Sequence, residues 1–412
     1  MIYKETENIL NIFLYDKKIG TLERKNDYNP YEVTFKYSVD YNGIPISYSM
    51  PIKEGEYDYR ISYSFFQNLL PEGDILSLIA KQRRFCSDDL FSALRAIGKE
   101  VAGALIITNE EEYPQNDNLY VDKTEDIINF LKNNESYLSL KIQSCLSLAG
   151  AQDKLPVFLN GNHFYLPVNY APTSHIIKPE NKYFPDIVYN EAFCLTLAQN
   201  MDLHVINHSI IEIDDCRPIL CLERYDRDNG LRLHQKDFCQ AMGLSRMKKY
   251  QSDGGFNGIQ DIIDIGDDLN FEFRYSLLDF MIFSYLIGNN DGHIKNLSLV
   301  YHRDSSVSLA PFYDLVCTEI YPDLSKEMAI SFGCHYVKDE IDESDFYSFS
   351  NDLFLKSKGV FNRLDEFIQI LPKAIVKARE IYGDKSVIAK ISNNILKNID
   401  TVKKKILLHT NA

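Results

Sequence analysis

The eight cysteines, at positions 86, 145, 194, 216, 221, 239, 317 and 334, form no CxxC pair and show no zinc-like spacing. They read as small buried hydrophobes, so neither a disulfide framework nor a structural zinc is expected. Long apolar runs are also missing. The best candidate, residues 277–287, is interrupted by Asp279 and falls far short of the ~20 residues a spanning helix needs. The opening Met1-Ile2-Tyr3-Lys4-Glu5-Thr6-Glu7 lacks the basic start and apolar run of a secretory signal, so a soluble, cytoplasmic protein without membrane contact is expected. Positive charge is in short supply, with 44 Lys and Arg against 59 Asp and Glu and a net charge of −15. Autonomous binding to nucleic acid runs on clustered cations, so contact with DNA would need a basic partner. No repeat and no low-complexity tract is present.

What remains is an ordinary folded composition, 45% hydrophobic and 25% charged. At 412 residues, two or three packed units are expected. Residues 1–110 read as a mixed unit, with a strand from Asn11 to Tyr15 and a turn from Asp16 to Gly20. Val33, Phe35, Tyr37 and Val39 alternate with Thr34, Lys36 and Ser38 as a second strand, and Asn42-Gly43 signals a hairpin. Helices are expected near Phe65 to Pro71 and Leu90 to Ile97. The acidic, Pro-broken stretch at 109–118 places a linker over 111–135. From 136 to 225 strand-like runs dominate, around Pro156 to Leu159, His175 to Lys178 and Pro218 to Leu222, with one helix near 190–200. Beyond 226 the pattern turns helical. Phe273 to Ile287 is apolar on nearly every face, and the stripe Leu364, Phe367, Ile368, Leu371 runs up to Pro372. Lys403-Lys404-Lys405 reads as a solvated helix end.

The densest group of chemical residues is Asn289-Asn290-Asp291-Gly292-His293-Ile294-Lys295-Asn296, followed by Pro311-Phe312-Tyr313-Asp314. Phosphoryl transfer needs a carboxylate to orient the attacking hydroxyl and oxygen ligands to hold Mg²⁺ against a triphosphate. Asp291, Asn296 and Asp314 supply those groups, and the step from Asp291 to Asn296 is that of the protein-kinase HRDxxxxN loop. The plain alternative is a set of Asn, Asp and Gly turns. Lys178 ends an apolar strand, where its charge suits ATP phosphates or water beyond the strand end. Glu191, taken as the first turn of the next helix, either pairs with Lys178 or serves the helix dipole. Ser147-Leu148-Ala149-Gly150-Ala151-Gln152-Asp153-Lys154 is small enough to lie against phosphates, though it is neither GxGxxG nor Walker A. Cys221-Leu222-Glu223-Arg224-Tyr225-Asp226-Arg227 follows the last strand of the sheet-rich region, as an adenine-binding hinge or a charged surface connection.

Together these strings resemble the HipA toxin family of bacterial serine/threonine kinases. Ser147 to Lys154 is similar to that family's SIAGAQ-x-K loop, and His175-Ile176-Ile177-Lys178-Pro179 to its HIIKP strand. The segments from His234 to Gln240 and from Lys249 to Gly255 resemble LHQEDFCQ and KYESDGG. Those at 291–296 and 311–314 fit DGHxKN and PFYD. Ser47 to Pro51, Phe65 to Pro71 and Ile97 to Gly103 are similar to the family's N-terminal subdomain.

The resemblance implies an α+β, protein-kinase-like bilobal fold, with a sheet-rich N-terminal lobe and subdomain and an all-helical C-terminal lobe. Its parts would be the subdomain over 1–110, the linker, an N-lobe over 136–225 and a C-lobe over 226–412. It further implies Asp291 as base, Asn296 and Asp314 on Mg²⁺, Lys178 on ATP phosphates, and a hinge at Glu223 and its neighbours Cys221, Leu222 and Asp226. Ser147, Ala149, Gly150, Ala151, Gln152 and Lys154 would line the nucleotide, with Ser147 autophosphorylated to silence the enzyme, a change of ~ −1.5 to −2 charges that repels ATP. His293 and Lys295 would orient Asp291 and contact the transferred phosphate, His293 serving equally well as a structural bridge. The implied protein substrate is an aminoacyl-tRNA synthetase, glutamyl-tRNA synthetase foremost. The implied partner is a HipB-like DNA-binding antitoxin, through which operator DNA is reached indirectly. Two other readings stand beside it. One is a weakly active ATP-binding co-repressor. The other is a phosphohydrolase with Asp291, His293 and Asp314 as metal ligands, which lacks the further His/Asp pairs of a two-metal site.

Overall fold

The computed structural model describes residues 8–26, 28–114, 119–133, 137, 140, 153–168, 170–266, 269, 272–304 and 306–407. Contacts divide the chain into two units built from separated segments, 1–179 with 211–246 and 298–307, and 180–210 with 247–297 and 308–412.

In the first unit, β1 (Ile9–Leu14), β2 (Lys17–Arg24), β3 (Val33–Tyr37) and β4 (Leu105–Thr108) form an antiparallel sheet in the order β3-β2-β1-β4. The β1–β2 turn is only Tyr15 and Asp16, with Tyr15 left-handed at φ 58°, so β2 begins inside the stretch expected to be a turn. Three helices, α1 (Tyr59–Gln67), α2 (Gly73–Arg83) and α3 (Leu90–Ile97), follow. Asp58 and Asp89 cap α1 and α3 by accepting from Arg60 N and Ser92 N. Phe35, Phe65, Phe66, Leu94 and Ile97 share one apolar core with the sheet. Asn42-Gly43 turns no ladder. Tyr41 stacks on Tyr37 at 5.7 Å and donates to Ile44 O at 2.7 Å, which directs the chain to an isolated Ser47–Met50 bridge.

A second sheet contains β5 (Tyr120–Asp122), β6 (Leu155–Asn160), β7 (His163–Pro167) and β8 (His175–Pro179). Beyond β9 (His208–Ile211), which straddles the two units, β10 (Ile219–Glu223) pairs with β8 and extends the order to β5-β7-β6-β8-β10. The expected linker is therefore structured. β5 pairs with β7, and α4 (Thr124–Lys132) buries Ile127 and Leu131, one helical turn apart, among Leu155, Phe164 and Ile177. The same core takes Ile219 and Cys221. Because strand side chains alternate, Lys178 and its register partner Leu220 fall on the opposite face, with Leu222.

A buried ionic network crosses the first unit. Glu100, fully buried, accepts from Arg224 Nη1 at 2.9 Å, Arg227 Nη2 at 2.6 Å and Thr173 Oγ1 at 2.9 Å, and also pairs with Arg232. Asp226 accepts from Arg224 Nη2 at 2.7 Å and Gly103 N at 2.6 Å.

The second unit is helical in bulk. Ile187–Asn200 and Glu272–Ile287 pack on the long helices Ser357–Tyr382 and Ser386–Val402, tied by Asn398 Nδ2 to Leu286 O at 3.1 Å. Pro372 does not end its helix, because Ala374, Ile375 and Ala378 continue the buried face beyond it, and their burial offsets the missing N–H bond. The region beyond 226 also carries short strands, including the hairpin Glu327–Phe332 to His335–Val337. Among the described residues no helix is long and apolar enough to cross a membrane. Cys194, Cys221, Cys239 and Cys317 are buried as expected, whereas Cys86 and Cys334 are exposed.

Candidate active site

In the second unit, the buried helix Glu272–Ile287 stops at Gly288, which adopts φ 76° and packs where a Cβ would collide with the Glu319 carboxylate. Its carbonyl accepts from Thr318 N at 2.9 Å and Thr318 Oγ1 at 3.0 Å. The Thr318 hydroxyl also receives Asn290 N at 2.8 Å, so the chain leaves the helix in one direction.

The next eight residues fold back on themselves. Asn289 Oδ1 accepts from Asp291 N at 3.2 Å, and the Asp291 carbonyl accepts from His293 N at 2.8 Å and from Asn296 Nδ2 at 2.9 Å. The five-residue step is thus a physical clasp: the Asn296 amide nitrogen holds the backbone of Asp291, leaving Oδ1 as the ligand atom of Asn296. Asp291 itself is exposed, whereas His293, Lys295 and Asn296 are buried. The Tyr250 hydroxyl donates to Asp291 Oδ1, and its ring meets His293 edge-on at 5.3 Å. Burial, with Lys249 and Lys295 adding repulsion, pushes the His293 imidazole down to about 3, so it is neutral at physiological pH.

The Phe312-Asp314 segment is anchored independently. Phe312 N donates to His204 O at 2.8 Å, Ile206 N donates back to Phe312 O at 3.0 Å, and the Phe312 ring lies 5.4 Å from Phe280. Tyr313 OH donates to Lys295 O at 2.8 Å. Asp314, half-buried, is left-handed at φ 52°, a conformation costly for a non-glycine residue and characteristic of functional turns. Asp291, His293 and Asp314 form no three-ligand cluster among the described residues. Asn296 and Asp314 instead offer amide and carboxylate oxygens, the donor type that suits Mg²⁺.

In the first unit, Lys178 is 3% exposed on β8, and Cys221 and Leu222 are buried on β10, with Glu223 exposed at its end. Burial pushes the Cys221 thiol up to about 12, so it is an inert thiol. Arg224 and Asp226 belong to the buried network rather than to a charged surface connection. Lys154 precedes β6, beside Asp153, whose carboxylate accepts from Tyr137 N at 3.2 Å. Ser147, Ala149, Gly150, Ala151 and Gln152 lie outside the described residues. Glu191, 1% exposed, sits in the second turn of its helix rather than the first, because the helix starts at Ile187. Tyr250, Thr318 and Tyr313 were not singled out from sequence. Tyr250 and Tyr313 carried a signal in their places in the Lys249 to Gly255 and Pro311 to Asp314 strings, and Thr318 carried none.

Residues 146–375 match the HipA-like C-terminal domain, more than half of the chain, and residues 10–108 match the HipA N-terminal domain. The chain belongs to the HipA family. It is 28% identical to the serine/threonine-protein kinase toxin HipA of Shewanella oneidensis, over 89% of this chain and 88% of that one. It is 31% identical to the Y4mE protein of Sinorhizobium fredii, over 95% and 97%. The solved HipA of Shewanella oneidensis, in complex with HipB and its operator DNA, shares the fold with a TM-score of 0.80 over 95% of this chain and 96% of that one, at 24% identity. The α+β HipA architecture and the serine/threonine kinase toxin family follow from these matches.

Proposed function

We propose that this chain transfers the γ-phosphoryl group of ATP to a serine hydroxyl of a protein, with Asp291 as the base. The observation that carries the reading is the clasped loop: an exposed carboxylate touched by Tyr250, its own carbonyl held by buried Asn296. Asp291 orients the incoming hydroxyl and accepts its proton as the bond to phosphorus forms. Asn296 Oδ1 and the Asp314 carboxylate would hold Mg²⁺, which when bound neutralises charge on the phosphates. Lys178 contacts the phosphates from the sheet face opposite the core, and Lys295 contacts the transferred group. His293, neutral, keeps the loop in shape and orients Asp291. The backbone of Cys221, Leu222 and Glu223 receives adenine, and Asp226 supports that hinge through Arg224. Ser147 is the residue the enzyme phosphorylates on itself, which silences it through charge repulsion of ATP.

The target is an aminoacyl-tRNA synthetase, with glutamyl-tRNA synthetase first among candidates, and its modification halts translation in the cytoplasm. A HipB-like antitoxin, as in the Shewanella complex, supplies the contact with operator DNA that a chain of net charge −15 lacks. The test is peptide mass spectrometry after incubation of the full chain with Mg-ATP. Phosphate on Ser147 in the wild type and none in Asp291→Asn supports the reading. ATP binding without transfer in either protein replaces it with the co-repressor reading.

A further inference from the structure

The hairpin Glu327–Phe332 to His335–Val337 turns through Gly333 and Cys334 directly against the first turn of the helix Glu343–Asp352. Gly333 is left-handed at φ 54°, and a Cβ there would lie 2.6 Å from Asp345 Oδ1, so only glycine lets the turn seat on that carboxylate. Cys334 Sγ is 3.7 Å from His335 Nδ1 and 3.9 Å from Asp345 Oδ1, and His335 Nδ1 is 3.0 Å from the same carboxylate oxygen. Tetrahedral zinc, with Zn–S ~2.3 Å and Zn–N or Zn–O ~2.0–2.1 Å, sets its sulfur about 3.6 Å from each lighter ligand and those ligands about 3.3 Å apart. Every observed edge lies within about 0.4 Å of these values. Among the described residues this is the one group of three His, Cys, Asp or Glu side chains whose ligand atoms converge so closely.

We infer that Cys334, His335 and Asp345 form a three-ligand site for a zinc-class divalent cation. Asp345 is 3% exposed and fixed by Asp342 N at 3.0 Å and Cys334 N at 3.4 Å, so one ligand is preorganised by the helix cap. Cys334 is exposed and His335 partly so, leaving an entry path and an open fourth position. The thiolate and imidazole favour Zn²⁺ or Co²⁺ over Mg²⁺ and Ca²⁺. None of the three residues takes part in the proposed phosphoryl transfer. The hairpin is nonetheless tied to the catalytic segment, because Ser331 donates to Gln251 Oε1 through both N at 2.9 Å and Oγ at 3.1 Å, and Gln251 adjoins Tyr250.

The test is titration of the chelator-treated full chain with Co²⁺, followed by displacement with Zn²⁺. One equivalent of Co²⁺ should develop the thiolate-to-cobalt charge-transfer absorption, and Zn²⁺ should abolish it. Cys334→Ser and His335→Ala should each weaken binding by more than about tenfold. Cys86→Ser, which removes the other cysteine that is exposed among the described residues, should bind as wild type. Melting curves without metal verify that the variants fold. Absence of the charge-transfer band, or its persistence in Cys334→Ser, overturns the inference.

Discussion

Replacing Glu100 with glutamine should destabilise the first unit by about 3–5 kcal/mol, because it strands buried guanidinium groups that the carboxylate now neutralises. Burial alone would raise the pKa of this carboxyl, yet Arg227, Arg232 and Arg224 outweigh it and hold it at about 2 against an ordinary 4.5. That displacement is worth about 3 kcal/mol of preference for the ionised form, in line with the first figure. Its sign sets the pH dependence: a depressed acid stabilises the fold fully above its unfolded pKa of 4.5 and loses that contribution as pH falls through about 2. By about pH 3 less than half of the contribution remains. Thermal melts of wild type and Glu100→Gln should therefore differ by about 10 °C near neutrality and by clearly less in acid. Adding Arg232→Met should recover part of the loss, since burial already holds that guanidinium down at about 10. A Glu100→Gln protein within about 1 kcal/mol of wild type near neutrality, or a gap that ignores acidification, would refute the reasoning.

Lys236 is fully buried, its Nζ 4.1 Å over the Tyr301 ring without a hydrogen-bond acceptor, and burial lowers its pKa from 10.5 to about 7. The folded state then binds fewer protons than the unfolded one between those values. Stability should rise with pH across that window, and Lys236→Met should remove the rise and gain about 1–3 kcal/mol near neutrality by urea titration. Tyr250→Phe should slow phosphoryl transfer roughly tenfold with an unchanged melting curve, against about 10²–10⁴-fold for Asp291→Asn. An unaffected rate would show that the Tyr250 contact is incidental. Because His293 stays neutral, the pH–rate profile between about pH 5 and 8 should have the same acid limb in wild type and His293→Gln, and a displaced limb would show that His293 titrates there.

Local patterns were legible where one residue type forces one geometry. The apolar helix ending at Ile287 and the Asp291 to Asn296 spacing appear where the residues alone place them, and the alternation from Val33 holds as far as Tyr37, while Val39 falls in a turn and is exposed. The linker over 111–135 was misjudged, because the burial of Ile127 and Leu131 depends on a sheet whose other strands begin at Leu155. The stripe from Leu364 to Leu371 runs up to Pro372, and the apolar face beyond that proline keeps the helix intact.

The sequence by itself determined the family and the order of its motifs, since these depend on residue type and short spacing. Only the tertiary structure decided that Asp226 lies in an arginine network, that Tyr250 reaches Asp291, and that Cys334, His335 and Asp345 meet. Those groups are brought together by the buried segment that follows β10, a 3-10 turn and a hairpin folded onto a helix cap. The free energy that joins them comes from burial of surfaces distant in the chain, which leaves no local spacing to read.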